Sequence, residues 1–461
     1  MYSFKQICQL GCQGERMGLA VFTLYAFGAL VLVKTITNST ASESSFYVNN
    51  RSSSAAMVAF SIVASCVGAS ATIGTVGLAF TAGTPAFWWL GSGAVGLSVL
   101  TVLLARRVRS SNAYTLPEIV EKCLGAQGRR LISAIIVIAW ISILAAQFRA
   151  ITQIIQALTG LTPLISLLSG ALLIAAQTFI NGQSGIIKLD RIQCFIMLGG
   201  FLLLAFWLMH SSTASLGEIK WEATNEHFPA SYLLYFLLVQ GGSYVVCPML
   251  FGRLLSAESE KAAQWGAFWA ILGLCFFSVL IVLIGLLSKG LIPADSQPDH
   301  VLTTLLATVL PAWLTYIVYL TFLSVIISSA DSCLITASLI LAGDLWQQKS
   351  VRCTRLCVVI LALAGILLTF MDKTILGFLM MANSIYVCGV VAPVFITILA
   401  GEARKASPFI MMAGLISGGI LGLLSSITEQ HSLSYLGVIV SSLLVILSFM
   451  LFKNHHASNG G

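Results

Sequence analysis

Asp331 is an acidic residue in the middle of a long apolar segment, and it is the only charged residue between His300 and Asp344. It stands in the run Ser-Ser-Ala-Asp-Ser, so that Ser328, Asp331 and Ser332 share one face of a helix at spacings i, i+3 and i+4. A carboxylate inside a membrane is costly and normally faces a cavity or an ion. Hydroxyl and carboxylate oxygens are the ligands that hard cations such as sodium prefer. This face therefore predicts a cation site.

The composition is that of a membrane protein with many spans. The 461 residues are 58% hydrophobic and 9% charged, whereas soluble domains are about 25% charged. A spanning helix needs about 20 apolar residues. By this criterion the sequence predicts an all-α polytopic membrane protein with about 13 transmembrane helices, centred near residues 26, 68, 96, 144, 172, 200, 240, 275, 326, 361, 387, 416 and 442. We expect residues 1–461 to form a single transmembrane domain.

The distribution of basic residues predicts the orientation in the membrane. If the N-terminus lies outside, most of the 24 Lys and Arg residues, Arg253 among them, fall on the cytoplasmic side, whereas Arg149 lies within a span. This bias predicts a cytoplasmic C-terminus, and we expect the protein in a bacterial inner (plasma) membrane. The net charge of +7 then reflects topology, so we expect no nucleic-acid partner.

The sequence lacks the motifs of a membrane enzyme. No glycine-rich phosphate loop, nucleophile elbow or paired ligand histidines occur. The cysteines lack the flanking ligands of a zinc site. We therefore expect no catalytic residues and no enzyme activity.

Two predicted spans are interrupted by residues that weaken a helix. The second span contains Gly68, Gly74 and Gly77, and the seventh contains Gln-Gly-Gly-Ser at 240–243 before Pro248. Glycine lowers helix propensity and proline removes a backbone donor, so both spans are expected to unwind at mid-membrane. Unwound backbone at that depth lines a cavity or is buried in protein. Paired broken helices five spans apart are typical of inverted-repeat transporters; the alternative is tight helix packing through small residues.

Several short motifs, in order from about residue 47 to 400, resemble the sodium:solute symporter family. They are the run from Ala64 through Gly83 to Trp88, Thr115-Leu116-Pro117-Glu118, Asp190-Arg191-Ile192-Gln193, Pro248 followed by Arg253, and Ser328 to Ser332 ending at Asp344. The resemblance implies the leucine-transporter fold. It would have an extra N-terminal helix at 17–36, inverted five-helix repeats at 55–211 and 230–400, and two C-terminal helices at 407–453, all within one transmembrane transport domain.

The resemblance also implies a sodium site between the broken helix and the serine-rich helix. Its five oxygens would come from the carbonyls of Ala64, Val67 and Val325 and the hydroxyls of Ser328 and Ser329. Na+ would then be the ion that drives transport. The alternative is that the serines bond back to carbonyls of their own helix.

A second sodium site, or a proton site, is implied nearer the cytoplasm. In some family members this site uses an aspartate, which Asp190 matches, and hydroxyls, where this chain has Asp331 and Ser332. Two neighbouring carboxylates either hold a cation or share a proton, so both remain open. The other alternative is an ion pair of Asp190 with Arg191 or Lys188 at the membrane edge.

Four polar residues are candidate contacts of a transported solute: Arg149, Gln147, Ser70 and Gln240. Arg149 is always ionised, and its planar guanidinium matches a carboxylate. In the implied fold its helix lines the central cavity, so Arg149 favours an anionic solute. The alternative is structural pairing, or extension of the side chain toward the membrane surface.

These observations predict a sodium-coupled symporter that imports a small polar organic solute, with a carboxylate as one candidate, by alternating access. The implied partners are the solute, the sodium ion and the lipid bilayer, without an obligate protein partner. One alternative is a proton-coupled carrier that uses Asp190 and Asp331. Another is a transporter-like sensor, which would need a partner domain, and the tail after Phe452 is short for one.

Overall fold

The computed structural model describes residues 4–36, 42–211, 219–401 and 407–457 of the chain. Within these ranges the protein is helical, and its β features are three isolated bridges. Eleven helices are long and apolar enough to cross a membrane, or 12 when one bent pair is counted as a single span. The expected all-α membrane class is confirmed, whereas the expected count of 13 is not reached by this criterion.

Within the described ranges the helices are interspersed with single turns of 3-10 or π helix. In chain order they are α1 (Phe4–Ile36), α2 (Glu43–Val48), α3 (Ala55–Cys66), α4 (Thr75–Ala82), α5 (Trp88–Val99), α6 (Ala105–Ser110), α7 (Leu116–Thr159), α8 (Pro163–Ser211), α9 (Ala230–Tyr235), α10 (Gly242–Val245), α11 (Pro248–Leu255), α12 (Glu260–Leu287), α13 (Val301–Thr308), α14 (Ala312–Ile340), α15 (Val351–Leu368), α16 (Ile375–Tyr386), α17 (Ala392–Ala400), α18 (Pro408–Thr428) and α19 (His431–Ala457). The 3-10 and π turns lie at Asn49–Arg51, Ser70–Gly74, Thr84–Phe87, Leu100–Leu104, Phe236–Gly241, Pro298–His300, Leu341–Leu345 and Val387–Val391.

Helix α8 contains a sharp bend. Its 49 residues would measure about 74 Å if straight, more than twice the ~30 Å core of a bilayer. At Gly182 the backbone leaves the helical region with φ 57° and ψ −171°, a conformation that residues with a Cβ rarely adopt. A Cβ at this position would also lie 2.4 Å from the ring of Phe46. Glycine is therefore needed where the two halves of α8 meet.

Both predicted interruptions are present. Helix α3 ends at Cys66, Val67 departs from helical geometry (φ −83°, ψ 74°), and the helical path resumes at Ser70 turned by 66°. In the seventh predicted span, α10 stops before Val246 (φ −132°, ψ 70°) and α11 begins at Pro248. The second break thus follows the glycine pair instead of falling on it. The physical reason is that proline has no N–H and is favoured at the first position of a new helix.

Helix α14 lies at the centre of the protein. Its most hydrophobic stretch is completely buried, and it packs against α3, α7, α8 and α15. Contact with α8 is very close, because a Cβ on Gly200 would lie 1.9 Å from Thr321 Oγ1. Large apolar side chains such as Leu172 and Leu367 are instead exposed on the outside of the bundle. The apolar surface faces outward and the serine-rich helix lies inside, which is the arrangement expected of a protein surrounded by lipid.

Candidate functional site

The break in α3 lies against the serine-rich face of α14. Carbonyls in the last turn of a helix have no partner within that helix, and α3 ends at Cys66. Ser329 Oγ donates to the Ser65 carbonyl oxygen at 2.8 Å and lies 3.4 Å from the Ala64 carbonyl oxygen. All three residues are at most 3% exposed. Freed carbonyls and a hydroxyl therefore face each other in a buried position, where a hard cation finds the oxygen ligands it prefers.

The five predicted sodium ligands are buried at this junction: Ala64, Val67, Val325, Ser328 and Ser329. The structure brings Ser329 to Ala64. Ser328 turns to the other side, where its Oγ donates to Asp190 Oδ1 at 2.9 Å. The neighbouring hydroxyls of Ser328 and Ser329 thus point to two different helices.

The alternative in which these serines bond back to their own helix is wrong for Ser328 and Ser329. Both hydroxyls bond to groups of α3 or α8. By contrast, Ser338 of the same helix donates to the Leu334 carbonyl oxygen of α14 at 2.7 Å. The side chains of Ser328 and Ser329 therefore point toward neighbouring helices because of where these two residues lie, since another serine of the same helix bonds within it.

Asp190, on α8, is the centre of a buried polar cluster. Its Oδ2 accepts from Ser61 Oγ at 2.5 Å and from Arg253 Nη2 at 3.2 Å, and its Oδ1 accepts from Ser328 Oγ. Asp190, Ser61, Ser328 and Arg253 are each 0% exposed. The carboxylate is thus held by two hydroxyl donors and one guanidinium, which is the pairing that a buried charge needs.

The alternative pairing of Asp190 with Arg191 or Lys188 is not the one that the structure shows. Arg191 is exposed, and Lys188 Nζ lies 3.5 Å from the carbonyl oxygen of Ile36. The partner is Arg253, which the distribution of charges had placed on the cytoplasmic side. It was missed because α11 is a short helix that follows the second break, and this break turns Arg253 back into the bundle. The motif Pro248 followed by Arg253 was the signal that could have identified it.

Arg253 joins three helices through one nitrogen atom. Its Nη2, with two N–H groups to share, lies within hydrogen-bond distance of Asp190 Oδ2 on α8, Ser65 Oγ on α3 at 3.2 Å and Ser332 Oγ on α14 at 2.5 Å. Ser65 Oγ and Ser332 Oγ are themselves 2.9 Å apart. Asp190 and Ser332, two of the three predicted ligands of a second site, are therefore brought together around a guanidinium.

Asp331, the third predicted ligand, faces elsewhere. Its Oδ1 accepts from Thr178 Oγ1 of α8 at 2.7 Å, and its Oδ2 has no hydrogen-bond partner in the described ranges. Ser332 bonds to Ser65 and Arg253, whereas Asp331 bonds to Thr178, so the two neighbouring side chains belong to different polar contacts. The predicted grouping of Asp190, Asp331 and Ser332 around one cation is corrected accordingly.

A cavity of about 60 Å³, the central cavity, lies beside Ser329 and Gly68. It is lined by amides, hydroxyls, thiols and aromatic rings: Ser65, Cys66, Gly68, Ser70, Trp89, Trp140, Ile143, Gln147, Gln240, Ser243, Tyr244, Cys247, Met249, Ser329, Leu379 and Asn383. Gln147 Oε1 accepts from the backbone N–H of Ala69 at 3.2 Å, and Asn383 Nδ2 donates to Gln240 Oε1 at 2.5 Å. No charged side chain is among these lining residues. Three of the four predicted solute contacts, Ser70, Gln147 and Gln240, line this cavity.

Arg149 does not line the central cavity. It lies two residues after Gln147, and residues at this spacing point to nearly opposite faces of a helix. Arg149 instead lines a separate cavity of about 470 Å³ together with Gln153, His300 and Phe370. Its Nε is buried without a hydrogen-bond partner among the described residues. Arg149 therefore lies outside the central cavity, in which the sequence predicted it to bind an anionic solute.

A wider opening adjoins the central cavity on one side. This vestibule, of about 450 Å³, shares Trp89 with the cavity and extends to Pro298, Asp299, Lys373 and Glu429 in or beside the connecting loops. The cluster of Arg253 and Asp190 lies between α3, α8 and α14 and meets the central cavity at Ser65, which lines the cavity and accepts from Arg253. The cavity thus adjoins a vestibule at Trp89 and a buried polar cluster at Ser65.

Comparisons with known proteins agree with this geometry. The model of the sodium:solute symporter family matches residues 46–418. A sodium/pantothenate symporter of Haemophilus influenzae is 24% identical over 72% of this chain and 72% of its own length. The human high affinity choline transporter 1 is 24% identical over 82% of this chain and 69% of its own length.

Solved structures share the fold. A Na+-coupled sialic acid symporter in a substrate-bound outward-open state superimposes with a TM-score of 0.78 at 15% identity, covering 94% of this chain and 96% of that one. A nucleobase-cation-symport-1 family transporter in a closed conformation gives a TM-score of 0.66 at 13% identity, covering 89% and 95%. At these identities the likeness concerns the fold alone.

Proposed function

We propose that this chain, which belongs to the sodium:solute symporter family, moves a small polar organic solute across a membrane together with sodium. The observation that carries the proposal is the position of Ser329. This residue faces the freed carbonyls of α3 and also lines the central cavity. One side chain therefore contacts both the proposed sodium position and the proposed solute position, which links the two binding events.

The proposed sodium ligands are the carbonyls of Ala64, Val67 and Val325 and the hydroxyls of Ser328 and Ser329. The contact of Ser329 with the end of α3 supports this set. Ser328 would join it by rotating from Asp190 to another staggered rotamer. A bound ion would then bridge α3 and α14, and it would leave when the two helices separate.

Alternating access follows from this bridge. The vestibule beside Trp89 provides access to the central cavity from one side, while the layer around Arg253 closes the other side. Sodium between α3 and α14 would stabilise this state, because its ligands come from both helices. Movement of α3 away from α14 would remove ligands, release sodium and open the cavity on the other side.

The proposed solute is recognised by neutral groups. Amides from Gln147, Gln240 and Asn383 both donate and accept hydrogen bonds, and Ser70 adds a hydroxyl. Aromatic side chains complete the lining, and they suit the apolar or cationic part of a solute. Two relatives are named as a sodium/pantothenate symporter and a high affinity choline transporter, and these names support an organic solute. Arg149 has no place in this proposal.

The bend in α8 leads to a proposal about topology. If residues 163–181 and 183–211 are two spans that meet at Gly182, the count of transmembrane helices becomes the expected 13. An odd number of spans places the termini on opposite sides, and the bias of Lys and Arg then places the C-terminus in the cytoplasm. The vestibule beside Lys373 and Glu429 would face outward.

Sodium alone is expected to raise the melting temperature of the purified protein. A ligand that binds only the folded state stabilises it in proportion to the logarithm of its concentration over its dissociation constant. We expect a rise with sodium chloride that potassium chloride at the same ionic strength does not produce. A panel of small polar solutes tested in each salt should then reveal a further rise that depends on sodium.

Equal shifts in the two salts would contradict sodium coupling. Uptake driven by a pH gradient in sodium-free proteoliposomes would then support the proton-coupled alternative. Asp331 is the residue that favours this alternative, because it is 1% exposed and its Oδ2 has no hydrogen-bond partner in the described structure.

Arg149→Ala is expected to leave sodium-coupled uptake close to that of the unchanged protein. The reason is that Arg149 lines a cavity separate from the one formed by Gln147 and Gln240. The measurement is the concentration of solute that gives half-maximal uptake in proteoliposomes, with the melting temperature recorded alongside. If this concentration rises by two orders of magnitude while the melting temperature stays the same, the carboxylate hypothesis for Arg149 is restored.

A further inference from the structure

We infer that the pocket beside Arg149 binds an anionic phospholipid, whose phosphate contacts the guanidinium and whose acyl chain lies along an apolar wall. This pocket, of about 470 Å³, shares no lining residue with the central cavity or with the vestibule. The inference goes beyond the proposed function, because neither the solute nor the sodium ion uses this site. The observation that carries it is an unpaired arginine in a pocket that also has an apolar wall.

The polar wall of the pocket is a stripe along α7. Its four residues follow the spacing i, i+3, i+4 and i+7 and therefore share one face of the helix: Arg149, Thr152, Gln153 and Gln156. The Thr152 hydroxyl donates to the Phe148 carbonyl oxygen within α7 at 2.6 Å. Arg149 Nε and Gln153 Oε1, in contrast, are buried without a hydrogen-bond partner in the described ranges. The stripe thus offers a charge and polar groups that a ligand from outside the chain can satisfy.

Arg149 lacks the acidic partner that other buried arginines have. Arg129 pairs with Asp344 and Arg253 pairs with Asp190, whereas Arg149 forms no ion pair within the described part of the chain, and its pocket is lined by no acidic residue. Arginine remains ionised in proteins, and a half-buried charge without a counter-charge is costly. An anion would supply the counter-charge. The planar guanidinium suits a phosphate group, which it can bind through two parallel hydrogen bonds.

The apolar wall of the pocket is exposed on the outside of the bundle. It consists of Pro163, Leu164 and Leu167 at the start of α8 and of Phe370 just after α15. Leu164 is 55% exposed and Phe370 is 69% exposed. These helix ends place the pocket near the membrane surface, toward which long basic side chains extend. A ligand that satisfies both walls has an anionic head and an apolar chain, and a small anion would leave the apolar wall uncovered.

The pocket and the vestibule share two connecting loops. Pro298 and Asp299 line the vestibule, and the next residue, His300, lines the pocket. In the loop that follows α15, Thr369 lines the pocket and Lys373 lines the vestibule. A bound headgroup would therefore contact both loops together with α7, and it should stabilise this end of the protein.

Binding of defined lipids to the purified full-length chain, in neutral detergent and potassium chloride, tests the inference. Native mass spectrometry counts the lipids retained, and the melting temperature reports the stability that they add. We expect one retained phosphatidylglycerol per chain and a rise in melting temperature. Phosphatidylcholine, whose phosphate is balanced by its own cation, and potassium phosphate, which has no acyl chain, should both produce a much smaller rise.

Three variants assign the effect to Arg149. Arg149→Gln should weaken phosphatidylglycerol binding by about tenfold or more, since charge-assisted hydrogen bonds are lost. It should not lower the melting temperature in detergent alone, because the charge that it removes is unpaired. Arg149→Lys keeps the charge without the planar donors and should lie between the two. Arg191→Gln is the matched control, because Arg191 is an exposed cation of α8 outside the pocket, and it should bind the lipid like the unchanged protein.

An equal loss of phosphatidylglycerol binding in Arg149→Gln and Arg191→Gln would overturn the inference, since the lipid would then respond only to overall positive charge. Equal stabilisation by potassium phosphate would replace the lipid with a small anion. Phosphatidylcholine retained as tightly as phosphatidylglycerol would show that the guanidinium does not select the ligand. None of these results involves sodium or solute, so each would leave the proposed function intact.

Discussion

Gly68→Ala is expected to reduce sodium-coupled uptake at least tenfold in a protein that still folds. A Cβ at this position would lie 2.5 Å from Ser329 Oγ and 3.0 Å from Gln147 Nε2. Both distances are too short, so the two side chains must move away from the break in α3. The substitution therefore displaces a proposed sodium ligand and a proposed solute ligand at once. Each hydrogen bond lost in a buried site costs about 1–3 kcal/mol, or about 5- to 150-fold in affinity.

The measurement is initial uptake in proteoliposomes at several sodium concentrations. Gly199→Ala is the matched control, since Gly199 also lies within a spanning helix but a Cβ there would meet nothing within 4 Å. The melting temperature of both variants in potassium reports folding without the coupling ion. Unchanged uptake by Gly68→Ala would contradict the close approach of α3, Ser329 and Gln147.

The broken helices could be predicted from the sequence because their causes are local. Glycines and a proline weaken a helix wherever it lies, and Gly68 and Pro248 mark the two interruptions. The direction of the break could not be predicted in the same way. Whether α11 returns into the bundle depends on its packing against α3, α6 and α14 and on the ion pair of Arg253 with Asp190 of α8, all of which connect residues distant in the chain. Arg253 was assigned to a cytoplasmic loop for this reason.

The prediction that Arg149 lines the same cavity as Gln147 failed for a different reason. Gln147 and Arg149 were both expected to contact the solute, although residues two apart in a helix face nearly opposite directions. The helical period could have excluded one of them, but it could not indicate which. Gln147 faces the cavity because its amide accepts the N–H of Ala69 that the break in α3 sets free. That choice depends on a contact between α3 and α7.

The charge of Asp331 pointed to the correct helix, but the grouping of Asp331 with Asp190 that we predicted is not the one in the structure. A charge in an apolar segment pointed to α14, and the proposed sodium ligands Ser328 and Ser329 are indeed its neighbours. The partner of Asp331 is Thr178, however, and the partner of Asp190 is Arg253. Removing one member of a buried ion pair typically costs about 3–5 kcal/mol. Removal of either Asp190 or Arg253 alone would therefore leave an uncompensated buried charge where α8 meets α11.

Ser329→Ala is expected to lower sodium affinity at least tenfold while the protein folds normally. The hydroxyl is one of about five proposed oxygen ligands, and a buried ion that loses a ligand has no water to replace it. When sodium binding to the purified protein is measured at equilibrium, half-saturation should require a much higher sodium concentration than in the unchanged protein. The half-saturating sodium concentration for uptake should rise by the same factor, because in the proposed mechanism the ion that bridges α3 and α14 is the ion that accompanies the solute.

Ser338→Ala is the control that isolates this effect. Ser338 is on the same helix and is fully buried, but its hydroxyl bonds to the carbonyl of Leu334 within α14. Both substitutions remove one buried hydroxyl, so any general loss of stability should be similar. Only Ser329 faces Ala64 and Ser65 at the break in α3. If the two variants shift sodium dependence equally, or if neither does, the ion does not bind between α3 and α14, and the link between sodium and the central cavity must be sought elsewhere.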